Sequence, residues 1–96
     1  MWARVSSYQG GPEQLDAAAA RLPEQALQEM SGFECAYLLI DRQSGKAITM
    51  TLWESEDALR ESEERANQLR SQVADDLGAT GAPTVDRYEV ARVVEK

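Results

Sequence analysis

The stretch from Tyr37 to Trp53, YLLIDRQSGKAITMTLW, constrains this chain more than any other. Two runs of strand-forming residues flank the polar segment Asp41-Arg42-Gln43-Ser44-Gly45. That pattern predicts an antiparallel hairpin with a loop of a few residues. Gly45 supplies the positive φ that such loops often need, and Asp41 favours the turn. The second strand alternates, with Ala47, Thr49, Thr51 and Trp53 on one face and Ile48, Met50 and Leu52 on the other. One face is apolar enough to take helices. The other is mixed and ends in a large aromatic.

The flanking sequence supplies the remaining elements. WARVSSY at residues 2–8 alternates as a strand and is broken by Gln9-Gly10-Gly11-Pro12. Leu15, Ala18, Ala19, Leu22, Ala26 and Met30 then recur at helical spacing, with Pro12 in the first turn. Pro23 lies inside that pattern and predicts a kink or a break into two pieces. FECAYLLI forms the second strand. Ser55 is a candidate N-cap for a helix from about Glu56 to Leu77, whose inward stripe is Leu59, Ser62, Ala66, Leu69, Val73 and Leu77. Glu61 and Arg65 suit an i,i+4 pair on its outer side. Gly78 ends the helix, and VDRYEVARVV closes the domain, with fraying expected after Val94.

The order strand, helix, strand, strand, helix, strand is the α+β, ferredoxin-like βαββαβ arrangement, with a four-stranded antiparallel sheet and both helices on one face. The phasing puts Trp2, Tyr8, Thr49, Thr51 and Trp53 on the bare face, together with Tyr37 or Leu38. An open aromatic patch of that size predicts a homodimer through facing sheets. A one-residue shift in phasing would exchange the faces.

Ninety-six residues make one domain, residues 1–96. The net charge of −7 argues against nucleic acid, because a phosphate-binding surface needs clustered Lys and Arg. No run approaches the roughly 20 apolar residues of a membrane span, and no signal peptide is expected before the opening strand. A cytoplasmic location is expected, in keeping with the single cysteine, Cys35. There is no histidine, so the usual ligand for haem and transition metals is missing, as is the usual general base. No metal and no cofactor are expected. Without a histidine to activate it, Cys35 reads as a small buried hydrophobe.

The pattern resembles the dimeric α+β barrel superfamily, in particular the antibiotic-biosynthesis monooxygenase-like domain. The residues that carry the likeness are WARVSSY, Gly32-Phe33, Asp41-Arg42 with Gly45-Lys46, Leu52-Trp53-Glu54-Ser55-Glu56, and Arg87-Tyr88-Glu89-Val90. The resemblance implies two facing sheets and a pocket in each subunit between sheet and helices. It also implies candidate activities. Cofactor-free oxygenases of this group act on acidic phenols whose anion passes an electron to oxygen, so the protein need only bind, deprotonate and shield the substrate. The haem-degrading branch carries a tryptophan and a histidine at sites that fall near Ser62 and Gln72 here, and both are missing.

Candidate pocket residues follow from residue type. Trp53 and Tyr37 are candidate walls, although Trp53 also suits plain packing at the core or the dimer seam. Arg4 sits among aromatics and needs a partner when buried, for which Glu89 is the natural choice, and it otherwise binds an anion. Ser6, Tyr8 and Thr51 are candidate polar lining, and hydroxyls are also common on half-exposed sheets. Asn67 reaches a substrate carbonyl if it turns inward, and otherwise faces water. Tyr88 completes the set. The functional expectation is a small monooxygenase-like protein that binds a small aromatic or polyketide-like molecule. Cofactor-independent oxygenation is its enzymatic version. The alternative is a non-catalytic small-ligand-binding or stress-response module of the same fold.

Overall fold

The computed structural model describes residues 1–96. The strands are β1 (Trp2–Gln9), β2 (Phe33–Ile40), β3 (Lys46–Trp53) and β4 (Thr84–Glu89). They form one antiparallel sheet in the order β2-β3-β1-β4. The helices are α1 (Leu15–Ala20), α2 (Glu24–Gln28), α3 (Glu56–Glu61) and α4 (Glu63–Leu77). This is the ferredoxin-like α+β topology that the element order predicts. No helix is long and apolar enough to cross a membrane.

The hairpin forms for the local reasons visible in its sequence. Asp41 Oδ1 accepts from the Gln43 amide at 3.0 Å, and Gly45 N–H donates to the Asp41 carbonyl at 2.9 Å. Gly45 has φ +80°, and a Cβ there would lie 2.3 Å from the Gly10 carbonyl oxygen. Glycine is therefore required twice, for conformation and for close approach. The first helical region breaks at Pro23, which has no N–H to continue the ladder.

The second helical region departs from the expected single helix. It kinks at Ser62, between α3 and α4. Ser62 Oγ donates to the Leu59 carbonyl at 2.7 Å and so competes for the helix's own acceptor. Ser55 caps α3 as expected, accepting from the Ala58 amide at 3.1 Å. Glu61 and Arg65 do not pair. Arg65 lies 3.9 Å from Glu29, and Arg60 pairs instead with Glu56 at 3.3 Å. The last strand stops at Glu89, not Val94. Trp2 is opposite Glu89, so β1 has no further residue for β4 to pair with beyond the Val90–Met1 bond.

The two faces of the sheet are exchanged relative to the sequence reading. Trp53, Tyr8 and Ala47 are buried against the helices, and Trp53 is 0% exposed. Tyr8 and Ala47 pack with Leu15, Ala18, Val73 and Leu77, while Trp53 packs with Ala58 and Leu59. The bare face carries Val5, Ile48, Met50 and Leu52, flanked by Tyr37 at 53% and Tyr88 at 54% exposure. Leu38 belongs to the helix face. Both faces are comparably apolar, so alternation alone did not choose between them. The choice falls to the polar groups: Arg4 and Ser6 find hydrogen-bond partners on the helices.

Leu77→Ala should lower the unfolding free energy by about 2–5 kcal/mol through lost burial and a residual cavity. Ser55→Ala should cost about 1 kcal/mol through the lost cap. Urea titration of both variants measures the two values, and equal losses would contradict this ranking of core over cap.

Candidate functional site

A cleft opens between the helix face of the sheet and the helices. Alternation along β1 projects Arg4, Ser6 and Tyr8 into it, and alternation along β3 projects Thr49, Thr51 and Trp53. One turn after another of α4 adds Ala66, Leu69, Arg70 and Val73. Leu22, Pro23 and Leu27, around the break between α1 and α2, form the remaining apolar wall. The cavity volume is about 50 Å³. That is room for a few waters, below the roughly 300 Å³ of a typical small-molecule site.

Arg4 is 3% exposed, and one nitrogen, Nη2, makes all of its hydrogen bonds. It donates to the Leu59 carbonyl at 2.7 Å, to Ser62 Oγ at 3.1 Å and to Glu63 at 2.6 Å. The Leu59 carbonyl is available because the helix kinks there. The guanidinium also lies 5.6 Å from the centre of the Trp53 ring, a cation–π arrangement. Trp53 is held in turn by an edge contact with Phe33 and by donation from its Nε1 to Thr51 Oγ1 at 3.0 Å. Glu63 also accepts from Arg87 on β4, so one carboxylate serves two arginines. The expected partner Glu89 is instead opposite Trp2, and the cross-strand neighbour of Arg4 is Arg87. The helix, not the neighbouring strand, supplies the carboxylate.

Arg70 is the second cation of the cleft. Its Nε donates to Ser6 Oγ at 3.1 Å and its Nη1 to Asn67 Oδ1 at 2.9 Å. Three buried N–H-bearing atoms have no acceptor in the protein: Arg4 Nε, Arg4 Nη1 and Arg70 Nη2. Burial, then Arg70 and Arg87, lowers the Arg4 pKa to about 10, so it remains a cation at neutral pH. The Tyr8 hydroxyl lies 3.2 Å from Thr49 Oγ1. Burial pushes the Tyr8 pKa up, against the opposing effects of the Thr49 hydrogen bond and the Arg70 charge. Arginine and tyrosine are the only ionisable types lining the cleft.

Of the residues singled out by sequence, Arg4, Ser6, Tyr8, Thr51 and Trp53 project into this cleft, and Tyr37 borders it from β2, where its register with Met50 puts it on the bare face. Asn67 and Tyr88 do neither. Asn67 is exposed one position off the inward stripe, and it touches the site only through Arg70. Tyr88 lies on the opposite face of the sheet. Arg70 and Thr49 were missed as pocket residues. The signal for Arg70 was its place four residues after Ala66 and three before Val73, on the inward stripe itself. Its charge disguised it as part of the solvated face.

No known protein family's sequence pattern matches this chain. Its 94 aligned residues are 34% identical to the uncharacterized protein Rv2557 of Mycobacterium tuberculosis, covering 95% of this chain and 41% of that protein. The chain thus spans about two-fifths of the length of the curated relatives it matches. Among solved structures, it is similar to the monooxygenase from the gene ActVA-Orf6 of Streptomyces coelicolor, in complex with nanaomycin D. That match has a TM-score of 0.77 and 20% identity, over 99% of this chain and 91% of that one. SnoaB, a cofactor-independent oxygenase from Streptomyces nogalater, matches with a TM-score of 0.68 and 18% identity, over 99% and 97% of the two chains. The heme-degrader MhuD of Mycobacterium tuberculosis, with two hemes bound in its active site, matches with a TM-score of 0.66 and 23% identity, over 99% and 100%.

Two predictions follow from this geometry. Glu63→Gln should destabilise the protein by about 1–3 kcal/mol, because Arg4 loses the charge that compensates its burial. Adding Arg4→Met should recover part of that loss, since apolar replacement of a buried pair is often neutral or better. A double-mutant cycle in urea reads the coupling. The second concerns alkali. Tyr8 has its folded pKa raised above 10.0, so its contribution is fully present below that pH and fades as pH rises through the folded value. The stability advantage of the wild type over Tyr8→Phe should therefore shrink above pH 10. A constant difference across that range would contradict the assignment.

Proposed function

We propose that this chain, whose fold is that of the antibiotic-biosynthesis monooxygenase-like α+β barrels, binds a small aromatic or polyketide-like molecule between its sheet and helices. The observation that carries the reading is a pair of arginines, Arg4 and Arg70, holding three buried nitrogens without protein acceptors in an otherwise apolar cleft. Buried donors normally find partners, and those that do not are candidates for ligand contact. Proteins of this fold include one whose structure holds nanaomycin D and one that is a cofactor-independent oxygenase, which supports the ligand class.

Cofactor-free oxygenation is the enzymatic form of this proposal. An acidic phenol, once ionised, donates an electron to oxygen itself. Arg4 and Arg70 favour negative charge in the cleft, Trp53 and the Leu69–Val73 side form its walls, and exclusion of water strengthens each electrostatic contact. The lining contains no carboxylate, lysine or histidine to act as a strong base. Haem degradation is not proposed for a chain without histidine.

The small cavity favours a second reading, a non-catalytic binding or stress-response module. An aromatic ring enters only if the wall made by Leu22, Pro23 and Leu27 moves outward. Leu22 and Pro23 lie in the break between α1 and α2, and Leu27 lies in the five-residue helix that follows it. Oxygen uptake with hydroxyanthrones and other easily oxidised phenols separates the two. The enzymatic form predicts uptake above the uncatalysed rate, reduced at least tenfold in Arg70→Gln. Background uptake across the panel, with ligand still quenching tryptophan fluorescence, selects the module.

The bare sheet face supports a second copy of the chain as the partner in this proposal, sheet to sheet. Val5, Ile48, Met50 and Leu52 form a continuous apolar surface there. Sedimentation equilibrium should give a dimer for the wild type and a monomer for Ile48→Lys. A monomeric wild type at micromolar concentration would sink the assignment.

A further inference from the structure

We infer that the ligand of this cleft carries a carboxylate, seated between the guanidinium groups of Arg4 and Arg70 and separate from any ring hydroxyl that reacts. This rests on the cleft being the ligand site.

The arginines are placed side by side by the strand. Arg4 and Ser6 project from the same face of β1, about 7 Å apart along it. Ser6 Oγ accepts from Arg70 Nε at 3.1 Å, which brings the second guanidinium alongside the first. Arg87 stands across the strand pair from Arg4. Arg4 and Arg87 thus share one carboxylate, Glu63, and Arg70 bonds only to the neutral Ser6 and Asn67, inside a protein whose net charge is −7. Uncompensated like charges in a buried site are costly, and an added anion relieves that cost. The unmatched nitrogens belong to both arginines, so one anion between them gives each an acceptor.

A carboxylate fits better than a phenol. The cleft already contains a test phenol, the side chain of Tyr8. Burial holds the Tyr8 proton on despite the nearby Arg70. A ligand phenol of ordinary acidity in the same surroundings stays neutral too, and a neutral hydroxyl leaves the charge uncompensated. A carboxylic acid starts about six pKa units lower than such a phenol and remains ionised there. A phosphate fits less well. A dianion wants more donors than the three unmatched nitrogens, and the rest of the lining is mainly apolar.

The experiment uses four single-ring probes at pH 7: benzoate, benzamide, phenol and phenyl phosphate. Binding to the full chain is followed by tryptophan fluorescence and by calorimetry. Benzoate should bind ten- to a hundredfold tighter than benzamide or phenol, the range of a charge-assisted hydrogen bond or two. Arg70→Gln should remove most of that preference, weakening benzoate at least fivefold more than benzamide. Ser6→Ala, which only unseats Arg70, should reduce it less and serves if Arg70→Gln does not fold. Benzamide and phenol binding as tightly as benzoate would keep the cleft as a ligand site and overturn the carboxylate. Phenyl phosphate binding tenfold tighter than benzoate would overturn it in favour of a phosphoryl group. No binding by any probe would overturn the cleft reading itself.

Discussion

The buried guanidinium of Arg4 is the contact on which this molecule's interior depends. A charge so removed from water must be compensated, and three elements contribute. The kinked junction of α3 and α4 supplies the Leu59 carbonyl, Ser62 and Glu63, while β3 supplies the Trp53 ring. Because Glu63 also holds Arg87, the start of α4 is pinned to both β1 and β4. The kink at Ser62 is part of the same arrangement. An uninterrupted helix would keep the Leu59 carbonyl for its own ladder.

That arrangement also explains which face of the sheet the helices cover. A sheet with apolar residues on both sides can be closed from either one. Covering the Ile48–Met50–Leu52 face instead would leave Arg4 and Ser6 without their present helix partners and would expose Trp53. Polar satisfaction therefore selects between two hydrophobic alternatives of similar merit. The apolar face left over is what makes a second copy the natural partner in the proposed assembly.

The cleft is the place where compensation is incomplete. Its apolar walls are packed close enough to leave only about 50 Å³, yet Arg4 and Arg70 retain nitrogens that the protein does not match. Tight walls and unmatched donors belong together if the wall around Pro23 yields when an anion arrives. Short helices with few neighbours are the segments that open at low cost. Binding energy from the arginines would then be spent partly on moving Leu22 and Leu27.

Much of this was legible from local sequence. The hairpin, the Gly45 turn, the break at Pro23, the Ser55 cap and the Gly78 stop each depend on a few adjacent residues, and each stands where the sequence puts it. The element order likewise fixed the topology. Five of the eight named pocket residues, Arg4, Ser6, Tyr8, Thr51 and Trp53, project into the cleft, because period-two alternation puts them on one face of β1 and β3. What the sequence left open was every choice decided by contacts between distant segments. The covered face, the kink at Ser62, the pairing of Arg4 with Glu63 rather than Glu89, and the inward turn of Arg70 all belong to that class. Periodicity states which residues share a side. Only the packed molecule, where each buried charge and donor must find an acceptor, states what that side meets.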